Sequence, residues 1–493
     1  PAQWGMAVFE HVAVYPHPRA EVFAWHARPG GFVRLTPPGM AEVVSGPTDG
    51  IQVGSELRLR ISSPVVAGLL PDVGLPGRPS GPVGVPWVVR HVELVDGERF
   101  VDEQVSGPLR LWRHEHLFSD APGGGTTLVD RVTWEPPIGL AQGLIERRLE
   151  HLFAFRERQL RADLALHARL AAPPAHVVVT GASGLIGRQL CALLTTGGHT
   201  VTRLVRSGNV GPGEASWDPA RGRIDAAALR RADAVVHLAG ASIGGRFTRH
   251  HKDAVLSSRV DGTRTLAGAL AAADMPRTLV QASAIGIYGP RRPGELLTED
   301  SAPGPDATSW RRDADFGASE AVWGDQPPES YSAGFLAHVV RTWEATAVPA
   351  LEAGVRTVFL RTGIVLSAGG GALLPQLPLF YVGAGGRLTA PDAWTSWITL
   401  DDMARAYVHA LFTPSLAGPV NVVAPHPVTA EVFARTLGRT LRRPAALPTP
   451  GFGPALVLGR EGKSELIDTD QRVSSERLAA SGFVWAQPTI KDA

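Results

Sequence analysis

The chain has 493 residues, with 48 Lys+Arg against 47 Asp+Glu, and a formal net charge of +1 leaves no excess to attract nucleic acid or an anionic membrane. Its 44% apolar content supplies more than one core, and its length suits two large domains or three smaller ones. The single cysteine, Cys191, excludes an intrachain disulfide and fits a reducing compartment. No apolar run approaches membrane-spanning length, and the N-terminus shows no basic-then-apolar leader, so a cytoplasmic location is expected.

Residues 7–136 read as strands and turns. Apolar and polar residues alternate over Phe9–Tyr15, Ser55–Ile61, Trp87–Val95, Arg99–Val105, Leu109–Phe118 and Thr126–Trp134. A helix is predicted over Pro18–His26, where the proline suits a first turn. Pro64–Pro86 reads as a long surface loop, and Gly123-Gly124-Gly125 as a hairpin turn. A long helix follows at about Leu140–Leu170, with Leu149, Leu152, Phe153, Leu160 and Leu164 on one face. His114 and His116 share a strand face that His91 and Glu103 could neighbour. The set lacks tight ligand spacing, so polar residues on a sheet face are the expectation, with no metal.

The runs EVFAWHARPGGFVRLTPP and RFVDEQVSGPLRLWRHEHLF, with the terminal helix carrying HLFAFRERQL, resemble the START-like polyketide cyclase/dehydrase superfamily, also called SRPBCC. The resemblance implies an α+β helix-grip domain over residues 1–170 with a cavity for an apolar ligand. It implies no reaction. Ala171–Pro174 is the linker, and residues 175–493 form the second domain.

His176–Gly208 organises that domain. Val177–Thr180 reads as a buried strand, a glycine turn and an amphipathic helix follow, and a second strand runs from Thr200 to Val205. Gly181, Gly184 and Gly187 are spaced three apart. They give, in turn, a sharp exit from the strand, close backbone approach to a pyrophosphate, and tight helix packing. With Ala182, Ser183, Leu185 and Ile186 they form the predicted phosphate loop, where free N–H groups of the helix N-terminus face the anion. NAD sites usually place an acid at the end of the second strand. Here Arg206 and Ser207 stand there, with Arg188 as a further candidate, and no acid precedes Glu214. A guanidinium pairs with a 2′-phosphate, so NADP(H) is the expected cofactor unless Arg206 is simply a solvated strand end.

Asp233–Gly240 is another buried strand ending in Leu238, Ala239 and Gly240, residues small enough at the end to let the cofactor cross the sheet edge. Further elements are a helix over Asp253–Ala272, strands over Thr278–Ser283 and Val355–Leu360, and a helix over Asp401–Leu411. The alternation implies an α/β, Rossmann-type doubly wound parallel sheet. The motifs TGASGLIG, DAVVHLAG, SRVDGTRTL, SAIGIYG, RTGIVLSAGGGAL, SWITLDDMARA and NVVAPHPVT together resemble the epimerase-like (NAD-dependent epimerase/dehydratase) branch of the extended short-chain dehydrogenase/reductase superfamily.

The sequence departs from that superfamily's Tyr-x-x-x-Lys pair. No tyrosine has a lysine four residues on, and the only lysines are Lys252, Lys463 and Lys491. The helix expected to carry the pair, residues 334–344, presents Phe335, Leu336, Val339 and Val340, and Arg259 replaces the assisting asparagine. The resemblance leaves Ser283 to hold a substrate oxygen and Tyr288 as the nearest acid, although packing is the favoured role of Tyr288. Arg361, Trp397 and Asp401 could face the substrate, unless Trp397 is core and Asp401 caps its helix. Residues 300–333 are long for a loop and read as a substrate lid or a disordered stretch. The reading is an NADP(H)-dependent oxidoreductase or epimerase of a small molecule. Its alternative is a regulatory protein that binds NADP(H) and an apolar ligand without catalysis.

Overall fold

Strict alternation of inward and outward side chains builds the first part of the chain. The computed structural model describes residues 6–46, 50–62, 84–135, 142–206, 208–272, 275–304, 334–445, 448–449 and 452–493. It forms two compact units, the first made mainly of residues up to Ala171 and the second mainly of residues from Ala172 on, with Ala192–His199 and Ala368–Gly370 grouped with the first. Most of the Pro64–Pro86 loop, Ser207, and most of the 300–333 segment with Tyr331 lie outside the described residues.

The first unit holds β1 (Ala7–Tyr15), β2 (Ala41–Ser45), β3 (Glu56–Ser62), β4 (Gly84–Val95), β5 (Arg99–Ser106), β6 (Leu111–Ala121) and β7 (Gly125–Glu135). They form one antiparallel sheet in the order β1-β7-β6-β5-β4-β3-β2, so β1 and β2 lie at opposite edges. The early helix spans Arg19–Ala27, and a second, Gly31–Arg34, follows it. On β6 the inward positions are Trp112, His114, His116 and Phe118, and on β7 they are Leu128, Asp130, Val132 and Trp134. The helix Gln142–Leu170 lays Leu149 and Phe153 against Val132 and Trp134, and Leu160 and Leu164 against Phe23, Phe100 and Phe118. Arg34 and Asp163 form a buried bidentate pair, Nε to Oδ2 at 2.8 Å and Nη2 to Oδ1 at 2.9 Å, joining the short helix to the long one.

One expectation for this unit changes. Glu103 does not neighbour the histidines. It pairs with Arg113 on the other face, while Asp102, one residue earlier, faces His114. A pocket beneath the long helix is small and partly polar. It is about 10 Å³, the volume that admits one water, and His26, His116, Asp130 and Arg156 line part of it.

The second unit centres on β8 (His176–Thr180), with β9 (Thr200–Val205), β10 (Glu214–Asp218), β11 (Arg223–Ile224), β12 (Ala234–His237), β13 (Thr278–Ala284), β14 (Arg291–Leu297) and β15 (Arg356–Thr362) following. Next come β16 (Ile364–Leu366), β17 (Trp394–Thr395), β18 (Trp397–Thr399), β19 (Gly418–Val422), β20 (Val428–Thr429) and β21 (Asp470–Val473). The main sheet runs β11-β10-β9-β8-β12-β13-β15-β19 and is parallel apart from the β10–β11 pair. Its strand order reverses at β8, the switch point beside which α/β sheets bind ligands at their carboxyl ends. Val177, Val178 and Val179 of β8 are fully buried, as a strand covered on both faces requires. Helices Leu185–Thr196, Arg249–Leu270, Phe335–Ala345 and Leu400–Phe412 alternate with the strands. Thr399, not Asp401, caps the last of these, its hydroxyl accepting the Asp402 N–H at 3.2 Å. Among the described residues no helix is long and apolar enough to cross a membrane.

Candidate cofactor cleft and the network beside it

The glycine turn is dictated by contacts that no side chain could share. Gly181 has φ +67°, and a Cβ there would lie 2.8 Å from the Leu238 carbonyl carbon and 2.9 Å from the Ala239 nitrogen. A Cβ on Gly187 would lie 2.2 Å from the Gly181 oxygen, so the first turn of the Leu185–Thr196 helix rests on the loop backbone. Ser183 and Gly184, between these contacts, are exposed at the carboxyl edge. The turn and the Leu238–Gly240 segment, predicted separately, therefore meet. The turn packs this closely because Gly181 and Gly187 lack Cβ atoms, and the exposed Ser183 and Gly184 between them fit a pyrophosphate at a helix N-terminus.

Arg206 follows β9 directly and is exposed. The nearest downstream acid, Glu214, is taken up by Arg203 at 3.1 Å and by the Gly211 N–H at 3.0 Å.

Beneath the cleft, Thr180 Oγ1 accepts the N–H groups of Leu238 (3.0 Å) and Ala239 (3.1 Å) and lies 2.7 Å from His237 Nδ1. With both lone pairs used, Thr180 donates its own hydrogen to Nδ1. His237 Nε2–H then faces Thr263 Oγ1 at 3.1 Å, which also accepts the Trp343 indole N–H at 3.0 Å. Bond counting thus requires a neutral imidazole. Burial, and secondarily Arg259, push the His237 pKa down to about 4.

Arg259, standing where the superfamily places asparagine, donates to the carbonyls of Ala241 (3.1 Å) and Val255 (2.9 Å) and lies over the Trp343 ring at 5.0 Å. Burial lowers its pKa to about 10. Its guanidinium would lie 3.2 Å from a Cβ on Gly240, which places a cation at the edge of the predicted cofactor segment.

Ser283, Tyr288 and Arg361 are brought together, but in the interior: 4%, 0% and 1% exposed. Glu344, 1% exposed, accepts the Ser283 hydroxyl at 2.5 Å and Arg361 Nε and Nη2 at 3.0 Å each. The Tyr288 hydroxyl accepts from Arg361 Nη1 at 3.1 Å and donates to Asn421 Oδ1 at 2.7 Å. Glu299 closes the ring, its carbonyl accepting from Arg361 Nη1 at 3.2 Å and its carboxylate accepting the Asn421 N–H at 2.7 Å. Burial opposes the Arg361 charge, yet Glu344 outweighs it and holds that guanidinium above its usual pKa. Burial raises the Tyr288 pKa against the pull of Arg361.

Glu344 and Asn421 were missed in the sequence. A lone acid on the buried face of the Phe335–Ala345 helix was the available signal. Trp397 is fully buried, donates to the His426 carbonyl at 3.2 Å and packs with Leu366 and Ala424. Asp401 is buried in the first turn of its helix. Lys252 pairs with Glu461 at 2.7 Å and lies 5.4 Å from the Phe335 ring centre, nearer that helix than sequence distance suggested, and Lys463 pairs with Asp468.

A model of the NAD dependent epimerase/dehydratase family matches residues 177–311, which include the glycine turn, Ser283 and Tyr288. An epimerase family protein of Mycobacterium tuberculosis is 36% identical over 318 residues, covering 64% of this chain and 95% of that protein. The chain belongs to the epimerase family. The human epimerase family protein SDR39U1 is 31% identical over 318 residues, covering 64% of this chain and 96% of the relative. Among solved structures, a nucleoside-diphosphate sugar epimerase from Corynebacterium glutamicum aligns with a TM-score of 0.74 and 30% identity, covering 98% of this chain and 88% of that one. Human SDR39U1 with NADPH aligns with a TM-score of 0.54 and 31% identity, covering 64% of this chain and 97% of that one. Two domains of unknown function, DUF8410 and DUF1731, match residues 86–164 and 449–493 of this epimerase-family chain.

Proposed function

We propose that this epimerase-family chain is an NADP(H)-dependent oxidoreductase or epimerase acting on a small molecule. The observation that carries the reading is the Gly181 turn seated on the Leu238–Ala239 backbone, with Arg206 exposed at the end of β9. The bound dinucleotide supplies the hydride. The chain's part is to seat the pyrophosphate on Gly181–Gly187 and to pair Arg206, with Ser207 beside it, against the 2′-phosphate. The NADPH in the human relative supports this choice of dinucleotide. A cytoplasmic setting fits the thiol of Cys191, whose burial pushes its pKa up to about 12 and leaves it unreactive.

The usual lysine-held tyrosinate is absent, so proton transfer needs another route. Tyr288 can serve only if Arg361 and Asn421 release its hydroxyl, and Ser283 only if Glu344 does. Arg361, Trp397 and Asp401 are too deeply buried to touch substrate without such a rearrangement. The filled network favours a second reading, a non-catalytic NADP(H)-binding regulator. The antiparallel sheet with its long helix supports reading residues 1–170 as a START-like helix-grip domain.

Titration of NADPH and NADH separates these cases. NADPH should bind more tightly, and Arg206→Asp should cost about 1.5–3 kcal/mol for NADPH alone. Equal parental affinities would remove the NADP assignment. Stereospecific deuteride transfer from NADPH labelled at C4 to any carbonyl substrate would favour the enzyme over the regulator.

A further inference from the structure

The first unit contains a group of side chains that the cofactor chemistry does not use. Period-two alternation puts His114 and His116 on the inner face of β6, and the sheet register sets Asp102 opposite His114 and Asp130 opposite His116. One ligand atom from each of Asp102, His114 and His116 lies within 4.8 Å of the other two. We propose that these three side chains bind a divalent transition-metal ion through Asp102 Oδ2, His114 Nδ1 and His116 Nε2, with Asp130 holding both imidazoles from behind.

The distances divide into two kinds. Asp102 Oδ2 is 3.5 Å from His114 Nδ1 and 3.5 Å from His116 Nε2. These separations are long for hydrogen bonds. They are close to the edge of a tetrahedron, about 3.3 Å, whose centre lies about 2.0–2.1 Å from each donor. The opposite ring nitrogens sit closer to Asp130 Oδ1, at 3.0 Å from His114 Nε2 and 2.8 Å from His116 Nδ1. The first is a hydrogen bond; the second lies off the ring N–H direction and acts through charge. The carboxylate hydrogen-bonded behind His114 fixes which of its nitrogens faces the metal and raises that nitrogen's basicity, and the same charge beside His116 raises the basicity of its ring.

The donors are also held in place. The Trp112 indole N–H reaches the other Asp102 oxygen at 3.3 Å, and Phe100 stacks on His116 with ring centres 4.0 Å apart. Two nitrogens and one oxygen suit zinc, iron(II), cobalt(II) or manganese(II) better than calcium or magnesium, which prefer all-oxygen shells. Three protein donors leave a fourth position, as in sites that bind water or substrate.

The test uses the full chain stripped with EDTA and dialysed against micromolar Zn²⁺ or Co²⁺. One equivalent of either ion should be retained, and the cobalt form should show the intense visible bands of four-coordinate geometry. Asp102→Asn and His116→Gln should abolish uptake, while Asp130→Asn should keep the stoichiometry and weaken affinity about 10–100-fold. Near-UV circular dichroism of the stripped variants checks their fold. Should those variants misfold, the cobalt spectrum of the unaltered chain decides alone. Uptake well below one equivalent by the unaltered chain, a six-coordinate cobalt spectrum, or uptake unchanged in folded Asp102→Asn and His116→Gln would overturn the assignment.

Discussion

Acidification should loosen the sheet beneath the cofactor cleft through one side chain, His237. Its ring is fully buried and its bonding partners admit only the neutral form. Above the ordinary histidine pKa near 6.5 both folded and unfolded chains carry it neutral, so nothing is lost. Below that, the unfolded chain takes up a proton that the folded one refuses until about pH 4. Stability therefore falls as pH drops from 6.5 towards 4. The full effect is about 3 kcal/mol, of which about 1 kcal/mol develops between pH 7.5 and 5.5. Hydrogen exchange of peptides covering β8 and β12, corrected for the intrinsic pH effect and read as an opening free energy, measures this region separately from the first unit. His237→Asn will lower stability overall but should lose about 1 kcal/mol less over that interval. An equal pH loss in the two proteins would refute the assignment.

Gly187→Ala places a methyl 2.2 Å from the Gly181 oxygen, so the helix must shift; about 1–3 kcal/mol of stability and at least tenfold in NADPH affinity should go, by denaturation and titration. Arg34→Met strands the Asp163 charge in the interior of the first unit and should cost about 3–5 kcal/mol by urea unfolding, with Asp163→Leu added to it restoring most of the loss. Glu344→Gln should likewise destabilise the second unit by about 3–5 kcal/mol by leaving Arg361 uncompensated, whereas Tyr288→Phe should cost only about 1 kcal/mol. The reverse ranking would show that the network is organised around the tyrosine.

The strands of the first unit end close to their predicted positions because the alternation of Trp112, His114, His116 and Phe118 reports a half-buried sheet directly. β2 escaped detection, since Ala41–Ser45 is short and mostly exposed. The glycine turn was legible for a related reason: its spacing answers to backbone contacts within a few residues. The sites beyond it depend on distant partners. Ser283 meets Glu344 across 61 positions, and no local pattern says which face of β13 its hydroxyl takes. The neighbour of the histidines was misjudged by one residue, Glu103 for Asp102, and in a strand one residue is the difference between the inner and outer face.

The placing of β1 and β2 at opposite edges of the first sheet also sets an order of assembly. β4 to β7 can zip together as successive hairpins while the chain emerges, each closing a short loop. β1 ends at Tyr15, but its partner β7 begins at Gly125, so the first strand made must wait for the last. The entropy of closing so long a loop grows slowly with its length, yet it falls due before any β1 contact rewards it. The amides of His11 and Ala13 should therefore gain protection late in refolding, after those of β5 and β6. Until then Val132 and Trp134 on β7 stay uncovered along one side, the interval in which this unit is most open to aggregation.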